Sequence, residues 1–346
     1  MRHGRVTISD IAREAGVDKS TVSLVLNRKP LANRIKSDTK QRVFAITKKL
    51  NYHPSLVAKS LFTGKTMTLG LVVGGIETPF YAELTNTALE AADNRGYYML
   101  VSATKWNSER ENRALRLLLQ RQADGIICVV GGLCSQGGHH DLYTSIMEQH
   151  YPMVLWDYQS DGLSSVCSDY SVGMDEAVKL LAEKGHTRIG YCLHDIIQWN
   201  SKEKDFLSAC DRYNVEAVKY LLEDNPDGIS ETVGKIIKPG HPKAFLVFDD
   251  SSAREMIAAL KDIGRSVPDD FDIIGIDDIA WGASYSTRLT TIKQDLKKLM
   301  NSAVDLLVEM VENPEWKPKN ISIPTHLVIR ETVSLKKTAN HLQRSI

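Results

Sequence analysis

Two sets of residues in this 346-residue chain have types and spacing that could do chemistry. The first is a scatter of aromatics and carboxylates: Phe80, Tyr81, Trp106 and Trp156 with Asp157, Asp250 and Asp277. Aromatic faces stack on the apolar face of a ring, and carboxylates accept hydrogen bonds from its hydroxyl groups. Such a set suits a polar ligand with apolar faces, such as a sugar or a nucleoside. The second set lies in AGVDKSTVSLVLN, residues 15–27, where Lys19, Ser20, Ser23 and Leu24 share one side of a short helix, with Thr21 near its start. Short polar side chains let a helix backbone lie close in the major groove of DNA and still reach base edges or phosphates.

Helices must position that second set. Thr7 is a good N-cap with Asp10 three residues on, and Ile8, Ile11, Ala12 and Ala15 then recur at helical spacing. Gly16 ends this helix, Asp18 caps the next, and Val22, Val25 and Leu26 form its apolar stripe. Two short helices joined by a tight turn make a helix-turn-helix. A third helix is expected near 37–50, with Val43, Ile46 and Leu50 on one face; Pro54 ends it. The stretch PSLVAKSLFTGK that follows is linker-like in position, yet Leu56, Val57, Leu61 and Phe62 are too apolar to stay free. A second copy of the chain, or the DNA minor groove, would cover them.

From Met67 the pattern changes. Strand-like runs TLGLVV, YYMLVSA, GIICVV, PMVLWD, RIGYCL, AFLVF and FDIIGI alternate with helical stretches such as VGMDEAVKLLAEKG and SSAREMIAALKDIG. Alternation of this kind means parallel sheets with crossover helices, and ligands sit beyond the carboxyl ends of such strands. The rule singles out residues 74–81 and 104–107, Gly131, Asp157, His194, Asp250 and Asp277. Any one of these carboxylates can instead cap the helix that follows it.

Charge separates the two regions. Residues 1–65 hold 14 Lys and Arg against 4 Asp and Glu, a charge of +10, and the rest of this formally neutral chain is −10. A basic head on an acidic body points to a polyanion partner for the head alone. No apolar run is long enough to span a membrane, and the start lacks the apolar core of a secretory signal, so a cytoplasmic protein without membrane association is expected. The five cysteines (Cys128, Cys134, Cys167, Cys192, Cys210) are scattered without a CxxC and read as free thiols. His139 and His140 have no ligand pair at helical spacing, so no metal is expected; phosphate-cradling glycine motifs are missing, so no cofactor and no catalytic residues are expected either. The rival readings are a sugar-handling enzyme with a basic appendage, an architectural or constitutive DNA binder with a vestigial pocket, and an exported solute-binding component.

The stretches VTISDIAREAGVDKSTVSLVLN and TKQRVFAITKKLNYHPSLVAKSL resemble the DNA-binding head of the LacI/GalR family in order, spacing and residue type. The resemblance implies that Lys19, Ser20 and Leu24 read bases. It implies that Thr21, Ser23, Asn27, Tyr52 and Ser55 hold the phosphate backbone; Thr7 is grouped with them. Leu61 matches the hinge leucine that wedges into the centre of a palindromic operator, with Lys59 beside it. Asp18, Leu24 and the basic loop RKPLANR depart from the usual pattern and bear on which operator is read.

TPFYAEL, RQADGIICVV, VLWD, EKGHTRIGY, GRSVPDDFDIIGIDD and STRLTTIKQD look like the same family's periplasmic-binding-protein-like core. The implied fold is an all-α helix-turn-helix head (1–53), a hinge (54–66), a two-lobed α/β core with parallel sheets (67–336) and a tail (337–346). Lobe 1 is expected at 67–162 and 294–322, and lobe 2 at 163–293 and 323–336, with crossings near 160–165, 290–295 and 321–325. Phe80, Tyr81, Asp157, Lys202, Asp250 and Asp277 map onto effector-pocket positions, and Trp106 joins them as an aromatic beyond a strand end. Lys202 stands where an Arg is usual, and an ammonium cannot make the bidentate fork of a guanidinium. The implied function is a regulator, most simply a repressor, that binds operator DNA as a homodimer under control of a small effector, expected to be a sugar.

Overall fold

The computed structural model describes residues 6–27, 30–53, 60, 64–129, 140–194, 201–223, 228–280 and 287–334. The chain divides into two compact units, Met1–Thr66 and Met67–Ile346.

In the first unit, helices α1 (Ile8–Ala15), α2 (Lys19–Leu26) and α3 (Ser37–Lys49) enclose a small core of Ile11, Ala12, Ala15, Val22, Val25 and Val43. The Asp10 carboxylate accepts from the Thr7 amide at 3.0 Å and the Thr7 hydroxyl at 2.7 Å, so it satisfies a donor left over at the helix start. Gly16 sits at φ 62°, left-handed, which glycine adopts without the steric cost of a Cβ, and Val17 then donates back to Ala12. Asp18 occupies the N-cap of α2 but makes no side-chain capping bond, contrary to expectation. Lys49 pairs with Glu14 at 2.6 Å, tying α3 to α1. The loop RKPLANR contains a 3-10 turn, Pro30–Arg34.

The second unit has two six-stranded sheets. In chain order the strands are β1 (Thr68–Val73), β2 (Tyr98–Ala103), β3 (Gly125–Val129), β4 (Met153–Trp156), β5 (Ser164–Asp169), β6 (Arg188–His194), β7 (Glu216–Leu222), β8 (Ala244–Val247), β9 (Asp272–Asp277), β10 (Thr290–Lys293), β11 (Asn320–Pro324) and β12 (His326–Val328). The first sheet is ordered β11-β5-β4-β3-β1-β2 and is parallel throughout. The second is ordered β12-β10-β9-β8-β6-β7 and is parallel except where β12 meets β10. Helices Pro79–Asp93 and Leu296–Glu312 bury apolar stripes in the core of the first sheet. Helix Ser171–Glu183 does so in the second.

The first crossing between lobes is later than its expected place near 160–165. β5 pairs with β4 and β11, so residues up to Asp169 belong to the first sheet, and the second lobe starts with helix Ser171–Glu183 rather than at 163. The other two crossings lie between β10 and helix Leu296–Glu312, and between β11 and β12. The crossings brace one another. Ser168 donates to Gln294 at 2.7 Å, Gln294 donates to Asp277 at 2.7 Å, and the Thr325 amide and hydroxyl both reach the Asp169 carbonyl at 2.9 Å.

Ile11 is fully buried in a core with few other large side chains. Ile11→Ala should destabilise the head by about 2–5 kcal/mol through lost burial and the cavity left behind. Hydrogen exchange along a urea titration of the full chain checks this: amides in 8–49 lose protection first, while those of β1 and β3 are unchanged.

Candidate DNA interface and ligand pocket

On the head, Lys19 and Ser20 are exposed at the start of α2, and Thr21, Ser23 and Leu24 are half-buried along it. Val22 and Val25 turn inward, which leaves the polar positions facing away from the core. Asn27 is exposed and its amide donates to the Ser23 carbonyl at 2.9 Å, closing the helix end. Tyr52 packs its ring on the head core, and the hydroxyl of exposed Thr7 serves the Asp10 cap. Ser55, Lys59 and Leu61 lie outside the described residues, as do Gly131, Cys134 and His139.

In the second unit the strand ends bring aromatic and ionic side chains together. Tyr81, at the start of helix Pro79–Asp93, meets Phe80 edge-on at 5.1 Å and Trp106 at 5.2 Å between ring centroids. A Cβ on Gly74 would lie 2.2 Å from the Trp106 ring, so only glycine leaves room for that indole. The Tyr81 hydroxyl is pushed well above the usual range by burial, then by the carboxylates of Asp277, Asp157 and Asp249. Tyr81 and Asp157 belong to the first lobe and Asp249 and Asp277 to the second, so the two lobes face one set of groups.

Asp157 follows β4 at φ 54° and accepts from the Ser168 amide at 3.1 Å and the Tyr170 hydroxyl at 3.2 Å. Burial raises its carboxyl, against the lowering influence of the Lys202 ammonium. Lys202 itself is buried; its ammonium donates to the Phe248 carbonyl at 3.1 Å, lies 3.8 Å from Asp277 and sits 4.0 Å from the centre of the Phe248 ring. Burial also lifts Asp277 well above the usual carboxylate range, opposed by Lys202 and reinforced by Asp250 and Asp249. Asp249 goes the other way: although burial opposes it, the His194 ring 3.6 Å away and hydrogen bonds from Ser252 hold its carboxyl below the usual value.

Two of the expected pocket residues prove to be structural. Phe80 is only 8 % exposed and joins the core of the first lobe beside Trp156. Asp250 is fully buried and committed: it accepts from Thr291 Oγ1 at 2.6 Å and from the Ile279 amide at 3.0 Å. Sequence reasoning missed its neighbour Asp249 and the ring of Phe248. Both follow β8, so the strand-end rule could have found them. Trp156 Nε1 is buried with no hydrogen-bond partner among the described residues. Among the described residues, Cys128, Cys167, Cys192 and Cys210 form no disulfide and are buried.

Residues 7–55 match the lacI family of bacterial regulatory proteins, and residues 178–333 match a periplasmic binding protein-like domain. The HTH-type transcriptional repressor PurR of Mannheimia succiniciproducens is 31 % identical over 337 residues, covering 94 % of this chain and 98 % of that protein. The repressor of the same name from Haemophilus influenzae (strain PittEE) is 30 % identical over 337 residues, covering 94 % and 98 %. The chain belongs to the LacI family.

Among solved structures, the lac repressor dimer bound to operator and the anti-inducer ONPF superposes with a TM-score of 0.83 at 23 % identity, covering 96 % of this chain and 100 % of that one. A periplasmic binding protein/LacI transcriptional regulator of Alkaliphilus metalliredigens QYMF complexed with D-xylulofuranose gives 0.67 at 24 % identity, covering 78 % and 99 %. These likenesses bear on the fold: a helical head and a two-lobed α/β core with parallel sheets. This LacI-family chain is a DNA-binding transcriptional regulator and not an enzyme, since its relatives are transcriptional repressors. Among its described residues no helix is long and apolar enough to cross a membrane.

Asp250 gives the family member a pH signature. Burial raises its carboxyl to about 7, more than the bonds from Thr291 and Ile279 lower it. The folded state therefore holds this proton over a range in which the unfolded chain has released it, and stability falls as pH rises through that range. Asp250→Asn should flatten the fall between about pH 4 and 7, and urea midpoints of both proteins across that range measure it.

Proposed function

We propose that the protein is a repressor that binds a palindromic operator as a homodimer and is controlled by a small effector, a neutral sugar, held between the lobes of its core. The observation that carries the effector reading is the convergence of Tyr81 and Asp157 with Asp249, Asp277 and Lys202 at the carboxyl ends of two parallel sheets. A site rich in carboxylate acceptors and ring faces suits hydroxyl donors on a ring. A neighbour of the same fold, the periplasmic binding protein/LacI transcriptional regulator, is complexed with D-xylulofuranose. A ligand touching both lobes shifts DNA affinity only as far as it binds the two lobe arrangements unequally.

DNA binding rests on the polar side of α2, within residues 1–65 of charge +10. One head offers too little contact for specific affinity, and a two-fold dimer reads a palindrome. The edge strand β2 exposes Tyr98 (66 %) and Leu100 (44 %), apolar surface that a second copy can cover. In this reading Lys19, Ser20 and Leu24 meet bases. Thr7, Thr21, Ser23, Asn27, Tyr52 and Ser55 meet the backbone, and Lys59 and Leu61 act at the operator centre. The protein works in the cytoplasm.

Lys19→Ala should relax base preference at one position of each half-site, costing roughly 1–3 kcal/mol. Binding measured against a set of singly substituted operators checks this; uniform weakening across all of them would place Lys19 on phosphate instead.

The effector is tested by melting the protein with a panel of sugars, nucleosides and nucleobases, since a ligand of the folded state raises the melting temperature by mass action. A sugar that raises it should also change operator affinity, and Asp277→Ala should abolish both effects while operator binding without ligand survives. A purine or pyrimidine as the only active compound would replace the sugar reading. A panel that moves neither melting nor operator affinity would end effector control.

A further inference from the structure

Asp250 is fully buried, and each of its two carboxylate oxygens holds a partner at or beside the turn that carries Asp277. The chain leaves β9 through Asp277 at φ 122° and Asp278 at φ 56°, two consecutive non-glycine residues in left-handed conformations. Such a turn persists only where its surroundings over-determine it. Asp250 supplies that constraint twice. One carboxylate oxygen accepts from the Ile279 amide at 3.0 Å. The other accepts at 2.6 Å from the Thr291 hydroxyl, whose oxygen accepts in turn from the Asp278 amide at 3.3 Å. A Cβ at Gly275 would lie 2.2 Å from the carboxylate, so a bare backbone there makes room for it. Lys293 at 2.8 Å and Arg330 close on the Asp278 carboxylate from outside.

The turn serves both lobes. Its first residue, Asp277, faces Lys202 in the pocket. Its third, Ile279, is 2 % exposed and belongs to the buried core of the first lobe, with Phe80, Trp156 and Leu296, although its backbone is held by the second.

We infer that Asp250 is a positioning residue: it fixes the turn 277–279 so that Asp277 faces the pocket and Ile279 latches the second lobe into the core of the first. Beside the braces at the crossings, the arrangement of the lobes about the pocket then depends on one buried carboxylate and one inserted isoleucine. The inference rests on the reading of this pocket as the effector site, but the latch can be tested without a ligand.

Trp156 is the reporter. It lies in the first lobe, 5 % exposed, in the same cluster as Ile279. Its own emission is the difference between each protein and the same protein carrying Trp156→Phe. In the full chain, Asp250→Leu removes both acceptors, whereas Asp250→Asn keeps a carbonyl for the Ile279 amide and an amide to meet Thr291. Asp250→Leu should red-shift the Trp156 emission and raise its acrylamide quenching roughly twofold or more, as a locally opened contact does. Asp250→Asn should keep the parent's values. Hydrogen exchange of β6 and β8 should be unchanged in both, because a purely local role in the second lobe would not reach a first-lobe indole. Ile279→Ala should reproduce the Asp250→Leu spectrum, with Ile279→Val near the parent, and it decides the matter if Asp250→Leu does not fold. Trp156 equally protected in a folded Asp250→Leu protein and in Ile279→Ala would overturn the latch. A failed ligand panel beside an opened Trp156 would count against effector control and leave the latch standing.

Discussion

Parallel pairing of strands is the constraint on which the core depends. A parallel strand cannot be reached by a hairpin, so each needs a crossover connection, and all strands of a sheet then end on the same edge. Both sheets obey this apart from β12. Tyr81, Asp157, Asp249 and Asp277 meet because they follow β1, β4, β8 and β9 or close them. Where the chain leaves the ladder its amides need new acceptors, and the carboxylates at those points supply them, as Asp157 does for Ser168 and Asp249 for Ser252.

Gathering carboxylates at one edge has an electrostatic consequence. Burial favours the neutral acid, and neighbouring carboxylates reinforce it. Asp157, Asp250 and Asp277 are all pushed up, whereas Asp249, beside His194 and with Ser252 as donor, is held down. The difference is one of hydrogen bonding as much as of depth. Lys202 suits this site because an ammonium is a compact charge on a flexible stem. It can rest on the Phe248 ring, reach a carbonyl and still stand near Asp277. A guanidinium would need a planar pair of acceptors.

The head was legible because its signals are local: an N-cap, a left-handed glycine and an apolar stripe decide each helix within a few residues. The first lobe boundary was not. β5 reads SSVCSD, too polar to look like an interior strand, yet Ser164 and Ser165 are fully buried. Their hydroxyls are satisfied across the ladder: Ser165 donates to Asn320, and Ser164 accepts from the Lys319 amide. Such pairing becomes visible only when residues 155 apart are adjacent. The same holds for Asp250. A strand-end rule finds the aspartate but cannot tell which side of the turn its carboxylate faces, and here adjacent carboxylates divide the work, Asp249 in the pocket and Asp250 beneath it.

A chain without net charge can still be drawn to DNA because screening makes attraction local. At physiological salt the Debye length is about 8 Å, so a phosphate responds to the unit beside it and not to the charge of the whole molecule. Residues 1–65 carry +10 and the rest −10, so at this range a polyanion is drawn to the first region and not to the second. That attraction is blind to sequence. On the outward side of α2 only Lys19 is charged, beside Ser20, Ser23 and Leu24. Other basic residues, among them Lys36, Lys40, Arg42 and Lys48, lie on or beside α3, where Lys49 is paired with Glu14. In the proposed interface, attraction by charge and reading of bases are separate tasks. Salt should govern the first strongly and the second weakly, because hydrogen bonds and apolar contacts to base edges release few counterions.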